Sequence, residues 1–365
     1  MQLFRPQKIF LEKSVAAQPM VSEILEKLPH IPVEEIDNPQ QILTDILKTP
    51  DPISEGKKHL VLAQQRGQFL KPCPGTQRHI CCGYQILNTG NNCDLDCTYC
   101  ILQGYFTNPL MIVYVNIDDL FAELHAFLTT HSARFFRIGT GELTDSLTLE
   151  PLTGYGARLV RFFSQYRNAI IELKTKSIFI DDLLGLRHNR RTVISWSLNS
   201  EKISRTEESR CPTIDERLQA AKKCEASGYR LGFHFDPMIY YDNWEIDYCS
   251  VIDKLFQSIH PDNIAWISLG ALRYPPHLDP IIRQRHPDSK IVIGEFFPGV
   301  DGKLRYFKPI RIELFRTMLQ HIRKYSNTVF VYLCMESSEV WKKTFGWSPE
   351  NMARLSKLLD QTVKD

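Results

Sequence analysis

Between residues 84 and 269 short apolar runs alternate with amphipathic stretches of helical period. "YQILNT", "FFRIG", "AIIELK", "TVISWSL", "RLGFHF" and "IAWISL" are short and rich in β-branched and aromatic side chains, the mark of buried strands. Between them, "NIDDLFAELHAFLTT", "LTGYGARLVRFFSQY" and "TIDERLQAAKKCEASGY" read as helices. The last is bounded by Thr213 as N-cap, Glu216 three residues on, and Gly228 as its stop. This alternation predicts βα units on a mainly parallel sheet. Six units are too few to close an eight-stranded barrel, so the expected fold is α/β, a partial (β/α)6 TIM-type barrel with its chemistry at the C-terminal strand ends.

The flanks read differently. Residues 1–65 mix short helical pieces such as "VSEILEKL" with breaks at Pro29, Pro32, Pro39, Pro50 and Pro52, and are expected to form an N-terminal extension. The barrel is expected over 66–275. Residues 276–365 carry the turn "FFPGVDGKLRYF", the helix "PIRIELFRTMLQHIRKY" and the strand "TVFVYLCM", a hairpin–helix–strand elaboration packed on the barrel.

The 365 residues are 43% hydrophobic, ample for a large core. Lys and Arg total 44 against 42 Asp and Glu, a net charge of +2, so an anionic partner must meet a local basic patch. The N-terminus lacks the order of a secretory signal and no apolar run reaches bilayer length, so a cytoplasmic protein without a membrane partner is expected. The ten cysteines are clustered, which in a large reduced protein favours metal or radical chemistry over disulfides.

Three of them fall in "NTGNNCDLDCTYCILQGYF" as Cys93-x3-Cys97-x2-Cys100, directly after the first strand. A closed zinc site or a four-iron cluster asks for four ligands. Cys73, Cys81 and Cys82 offer one possible fourth thiol; otherwise one iron stays open to bind a small molecule. At later strand ends, "RIGTGELTDS" offers Gly139, Thr140, Gly141 and Glu142, and "IELKTKS" offers Lys176 ahead of Lys174. "ISWSLNS" is expected to set Ser197 and Asn199 on one face, and "GFHFDP" to do the same for His234 and Asp236.

The cysteine spacing, with Tyr99 just before the last thiol, resembles the loop of radical S-adenosylmethionine enzymes. The resemblance implies a [4Fe-4S] cluster on Cys93, Cys97 and Cys100, whose open iron chelates S-adenosylmethionine, with Tyr99 against the adenine. It further implies that the Gly139–Glu142 stretch receives the methionine ammonium, Lys176 its carboxylate, and Ser197 and Asn199 the ribose. Taken with "QFLKPCPGTQRHICCGYQIL", "SWSLNS", "TIDERLQAAKKCEASGYRLGFHFDPMIYYDNWE" and "EFFPGVDGKLRYFKPIRIELF", the chain resembles the spore photoproduct lyase family and its DNA-photolyase-like relatives over most of 65–345.

That family implies light-independent repair of a thymine-dimer lesion in DNA, begun by a 5′-deoxyadenosyl radical and fed by an electron donor such as flavodoxin or ferredoxin. A damaged pair is cheaper to extrude from the stack than a sound one. Lys303, Arg305 and Tyr306 of the turn are candidates for contacting it, and His234 and Asp236 for contacting substrate or cofactor. The sequence departs from the family at two places. The cysteine that returns hydrogen to the product falls at Gly139, and a second tyrosine falls at Ile101. Cys334 and Tyr99 are the replacement donors considered, and a lyase-like paralogue with a non-DNA substrate, or a metal-bearing nucleic-acid-binding protein without activity, are the alternatives.

Overall fold

Eight strands form one open sheet in the order Val331–Leu333, Ile264–Ala271, Arg230–Met238, Thr192–Ser197, Ala169–Thr175, Phe136–Gly139, Gln85–Leu87, Leu70–Pro72. Neighbours are parallel except the last pair. These coordinates are a computed structural model and describe residues 1–364 apart from 77, 106 and 107. All six expected barrel strands are present, and the late strand joins the sheet beside Ile264–Ala271. The apolar strands Ala169–Thr175 and Thr192–Ser197 are buried almost throughout. Polar residues buried in them, Glu172 and Ser195 among them, therefore need partners inside the protein.

The helix Ile214–Ala226 starts as the capping rule requires: Thr213 Oγ1 accepts from the Glu216 amide at 3.2 Å, and Glu216 accepts from the Thr213 amide at 2.7 Å. The segment "LTGYGARLVRFFSQY", expected as one helix, is two. Gly154 sits between Glu150–Thr153 and Tyr155–Phe163 with φ +59°, a left-handed conformation that ends the first piece. The Glu150 carboxylate then accepts from the amides of Gly156 and Ala157 and so caps the second.

Residues read as an extension instead build a second sheet. Lys8–Glu12, Val33–Ile36 and His59–Ala63 pair in parallel, and the barrel segment adds Ile112–Tyr114 and Gly90–Asn91. The strand signal was weak because these runs are short, and three of the four residues in Val33–Ile36 are exposed. A buried lysine, Lys57, extends from this unit to the Leu95 carbonyl and to Asp96, 3.0 Å away, under the cysteine loop.

The "FFPGVDGKLRYF" turn forms as expected, with strands Phe297–Pro298 and Leu304–Arg305 closing antiparallel against Arg273–Tyr274. Helix Lys308–Arg323 follows and packs against the helix Trp244–Ser258. Among the described residues no helix is long and apolar enough to cross a membrane.

Candidate functional site

A chamber of about 310 Å³ opens at the C-terminal ends of the parallel strands. Cys93, Cys97 and Cys100 line one wall. Their loop is held from within: Gln103 Nε2 donates to the carbonyls of Cys97, Thr98 and Cys100 at 3.2, 2.9 and 3.3 Å. Beneath it lie two buried cations, Lys57 and Arg285, the latter bonded to Asp51 and Asp96 at 3.1 and 3.0 Å. Burial works against the Lys57 charge, yet Cys93, Asp96 and Cys100 around it raise its pKa, so it stays an ammonium. Asp96 is likewise held down at about 2: burial would raise it, and Lys57 and Arg285 overcome that.

Lys57 favours the thiolate form of Cys93 and Cys100, but burial outweighs it and pushes both thiols up, so it is a bound metal that would draw them off as thiolates. Among the described residues no three His, Cys, Asp or Glu side chains converge on one ion position. A tetrahedral zinc needs sulfurs about 2.3 Å from a single point, whereas a cluster takes each thiolate on its own iron. Three thiols on one wall are one donor short of either a closed zinc site or a fully protein-ligated four-iron cluster. Cys211, which the sequence reading did not single out, lies with its Sγ 3.7 Å from that of Cys97 because Glu208–Ser209 pairs with Asp96–Cys97.

Next to this wall, Tyr99 is buried and its hydroxyl donates to Glu208. Glu208 also receives Arg217 at 2.5 Å and Ser204 at 3.2 Å, and Arg217, fully buried, donates to the carbonyls of Ser197 and Pro212 at 3.0 Å each. Glu208 and Arg217 were not legible as site residues. Tyr99 and Glu208 are 109 positions apart, and a charged pair split between a two-residue strand and a helix carries no local signal. Lys176 holds its ammonium 5.5 Å from the centre of the Tyr99 ring. Burial would lower its pKa, but Cys97 and Glu208 raise it, which leaves a cation facing the chamber.

Ser197 lines the chamber, whereas Asn199 is turned away from it. Asn199 Nδ2 donates to Pro237 O at 2.9 Å, and its Oδ1 accepts from Tyr248 at 2.5 Å and from the Ser200 amide. The expected common face fails because the strand ends at Ser197, and alternation does not continue past its end.

Three polar pairs lie in or near the C-terminal halves of the strands. Glu142 meets Lys174 at 2.8 Å, Glu172 meets His234 at 2.8 Å, and Arg273 grips Asp236 with two bonds of 2.9 and 3.0 Å. Glu172, missed by the sequence reading, also accepts from Ser195 at 2.6 Å; burial would raise its pKa, and His234 with Ser195 holds it at about 2. His234 uses both ring nitrogens, the other on Ser268 at 2.7 Å, so it is a satisfied floor residue. Thr140 is buried against Ser146 at 2.7 Å, while Gly141 and Glu142 line the chamber. Burial would lower Lys174, and Glu142 raises it.

Cys334 and Lys303 line the far side. The Arg273 guanidinium reaches the Cys334 sulfur at 3.4 Å. Arg305 and Tyr306, expected to face DNA, are turned inward. Arg305 closes on Asp301 with bonds of 2.5 and 2.8 Å, and the Tyr306 hydroxyl accepts from the Tyr240 amide at 3.1 Å while its ring stacks on Phe296. Leu304–Arg305 is the middle strand of its small sheet, between Phe297–Pro298 and Arg273–Tyr274, and the turn brings Asp301 back onto Arg305. The hairpin exposes Phe297, Val300 and Phe307 instead.

The spore photoproduct lyase family model matches residues 4–297. The chain is 26% identical over 307 residues to the spore photoproduct lyase of Geobacillus sp. (strain Y412MC61), covering 81% of this chain and 86% of that one. It is 24% identical over 299 residues to that of Bacillus subtilis (strain 168), covering 80% and 85%. A solved spore photoproduct lyase cysteine-to-alanine mutant superposes with TM-score 0.82 at 24% identity, covering 91% of this chain and all of the other. A double mutant of spore photoproduct lyase with bound AdoMet and dinucleoside spore photoproduct superposes at 0.79 with 22% identity and the same coverage.

Proposed function

The chain belongs to the spore photoproduct lyase family, a family of lyases, and from that membership we propose that it is a radical S-adenosylmethionine enzyme that repairs thymine-dimer-type lesions in DNA. The observation that carries this reading is the wall of three thiols over two buried cations, opening on a chamber that ends the parallel strands. The open sheet is, on this reading, a partial (β/α)6 barrel. Cys93, Cys97 and Cys100 would hold a [4Fe-4S] cluster. When bound and reduced by a flavodoxin- or ferredoxin-type donor, it supplies the electron that splits S-adenosylmethionine to methionine and a 5′-deoxyadenosyl radical.

The chain's own residues bind, orient and keep water away. Lys176, charged and close to Tyr99, is placed to meet the methionine carboxylate, and Glu142, which lines the chamber beside Gly141, is placed to meet its ammonium. Glu142 must then share its carboxylate with Lys174. Ser197 remains to meet the ribose. Beyond the cofactor, the Asp236–Arg273 pair, Lys303 and Cys334 bound the space for the lesion.

The three polar pairs favour a second reading in which the same cofactor chemistry acts on a small polar molecule, since Arg305 and Tyr306 do not reach outward for DNA. Adding lesion-bearing and undamaged oligonucleotides to the reduced holoenzyme separates the two. Repair predicts that the lesion raises 5′-deoxyadenosine yield above that with undamaged DNA. Equal yields, with neither DNA bound, would leave only the second reading.

A further inference from the structure

Gly139 ends the strand Phe136–Gly139 at the chamber wall, and the space beside its Cα is filled by another residue. A Cβ built at Gly139 would lie 2.4 Å from Tyr84 Cε2 and 2.9 Å from the Tyr84 hydroxyl oxygen. These are distances no real side chain tolerates, so any residue other than glycine there would have to displace the Tyr84 ring. Tyr84 therefore occupies the position from which a side chain at 139 would face the chamber, the same position that the family resemblance gives to a thiol. The ring is buried, lines the chamber with Glu142, Lys174 and Cys82, and keeps one long contact, 3.5 Å from its hydroxyl to Glu142 Oε1.

The other hydrogen-bearing groups considered for the same task are engaged elsewhere. The Tyr99 hydroxyl is spent on Glu208, and the Cys334 sulfur sits against the Arg273 guanidinium. We propose that Tyr84 is a catalytic residue of this chain, the hydrogen-atom donor that quenches the carbon radical left on the substrate; the assignment rests on the radical reading above. A C–H bond forms on the product as the phenolic O–H breaks, which leaves Tyr84 as a neutral phenoxyl radical. One electron from the flavodoxin- or ferredoxin-type donor and one proton, passed from water by way of Glu142, restore the phenol. Burial first, and then the carboxylates of Glu142 and Glu172, raise the Tyr84 pKa well above its ordinary value, so the hydroxyl carries its hydrogen at every working pH.

Two measurements test this. In the protein without cofactors, Gly139→Ala is expected to lower the melting temperature by about 2–4 °C, and by clearly less in a Tyr84→Ala background. Additive effects would refute the close approach. In D2O the phenol exchanges to O–D, so the holoenzyme is expected to deliver about one solvent deuterium per product molecule. Tyr84→Phe should lose that label and form product at least about tenfold more slowly.

A Tyr84→Phe product that still carries solvent deuterium would overturn the proposal. Should that variant fail to fold, Cys82→Ala/Cys334→Ala decides in its place: label retained supports the phenol, and label lost assigns the donor to a thiol. 5′-Deoxyadenosine measured in the same mixtures keeps the two readings apart. If the wild-type protein forms none, the radical reading falls and this assignment with it; if it forms while Tyr84→Phe keeps the label, only the Tyr84 assignment falls.

Discussion

Arg217 illustrates how a residue with no motif around it can fix the site. It is fully buried, it closes Glu208 at 2.5 Å, and through Glu208 it holds the Tyr99 hydroxyl on the chamber wall. Removing one partner of a buried ion pair leaves an uncompensated charge, so Arg217→Met should cost about 3–5 kcal/mol in urea unfolding. A loss below about 1 kcal/mol would show that Glu208 is neutralised by other means. At this scale the cysteine triplet was legible because its spacing is local and unusual. Glu172, Glu208 and Arg217 were not, since their partners lie 62, 109 and 9 positions away and only folding brings them together. Asn199 misled for the opposite reason: it lies two residues past its strand's last residue, Ser197, so period-two reasoning was carried beyond the strand.

At the scale of elements, the hairpin after residue 296 shows why composition alone misjudges a surface. Arg305 looks like a phosphate-seeking cation in sequence, but an antiparallel turn closed by Gly299 and Gly302 returns it over Asp301, four positions back. Burial would raise the Asp301 carboxyl, yet Arg305 holds it down at about 2, against roughly 3.9 for an unfolded chain. A depressed folded value means that the pair's contribution is complete above about pH 4 and is lost as pH falls through about 2. Asp301→Asn is therefore expected to remove roughly 3 kcal/mol at pH 7 and to flatten the acid limb of the stability curve in that window. A variant with an unchanged acid limb would contradict this.

The helix Ile214–Ala226 is the reverse case, an element whose both ends were written locally in Thr213, Glu216 and Gly228 and formed as read. "LTGYGARLVRFFSQY" was misread as continuous because its apolar period survives the break, whereas the left-handed turn at Gly154 is a backbone fact that periodicity does not record.

Across the whole molecule, six strands of the main sheet were readable because each is a short apolar run set between helical stretches. The N-terminal sheet was not, because its strands gain their partners only from each other and from Ile112–Tyr114. That shared edge, with Lys57 under the cysteine loop, makes the first residues part of the site's foundation. A chain lacking residues 1–65 would leave an unpaired apolar strand edge and remove Lys57 from beside Asp96. It is expected to purify as aggregate, or to take up less than about a tenth of the iron bound by the full chain; a monodisperse truncation with full iron loading would count against this.

The account turns on one iron of a four-iron cluster being left without a protein thiolate. Anaerobic reconstitution followed by iron analysis and by spectra with and without S-adenosylmethionine, on the full chain and on Cys97→Ala, tests it most directly. The full chain should bind about four irons, shift its spectrum when S-adenosylmethionine is added, and form 5′-deoxyadenosine on reduction, and Cys97→Ala should do none of these. A metal that is fully ligated by protein and indifferent to S-adenosylmethionine, or a Cys97→Ala protein that still cleaves it, would contradict the account.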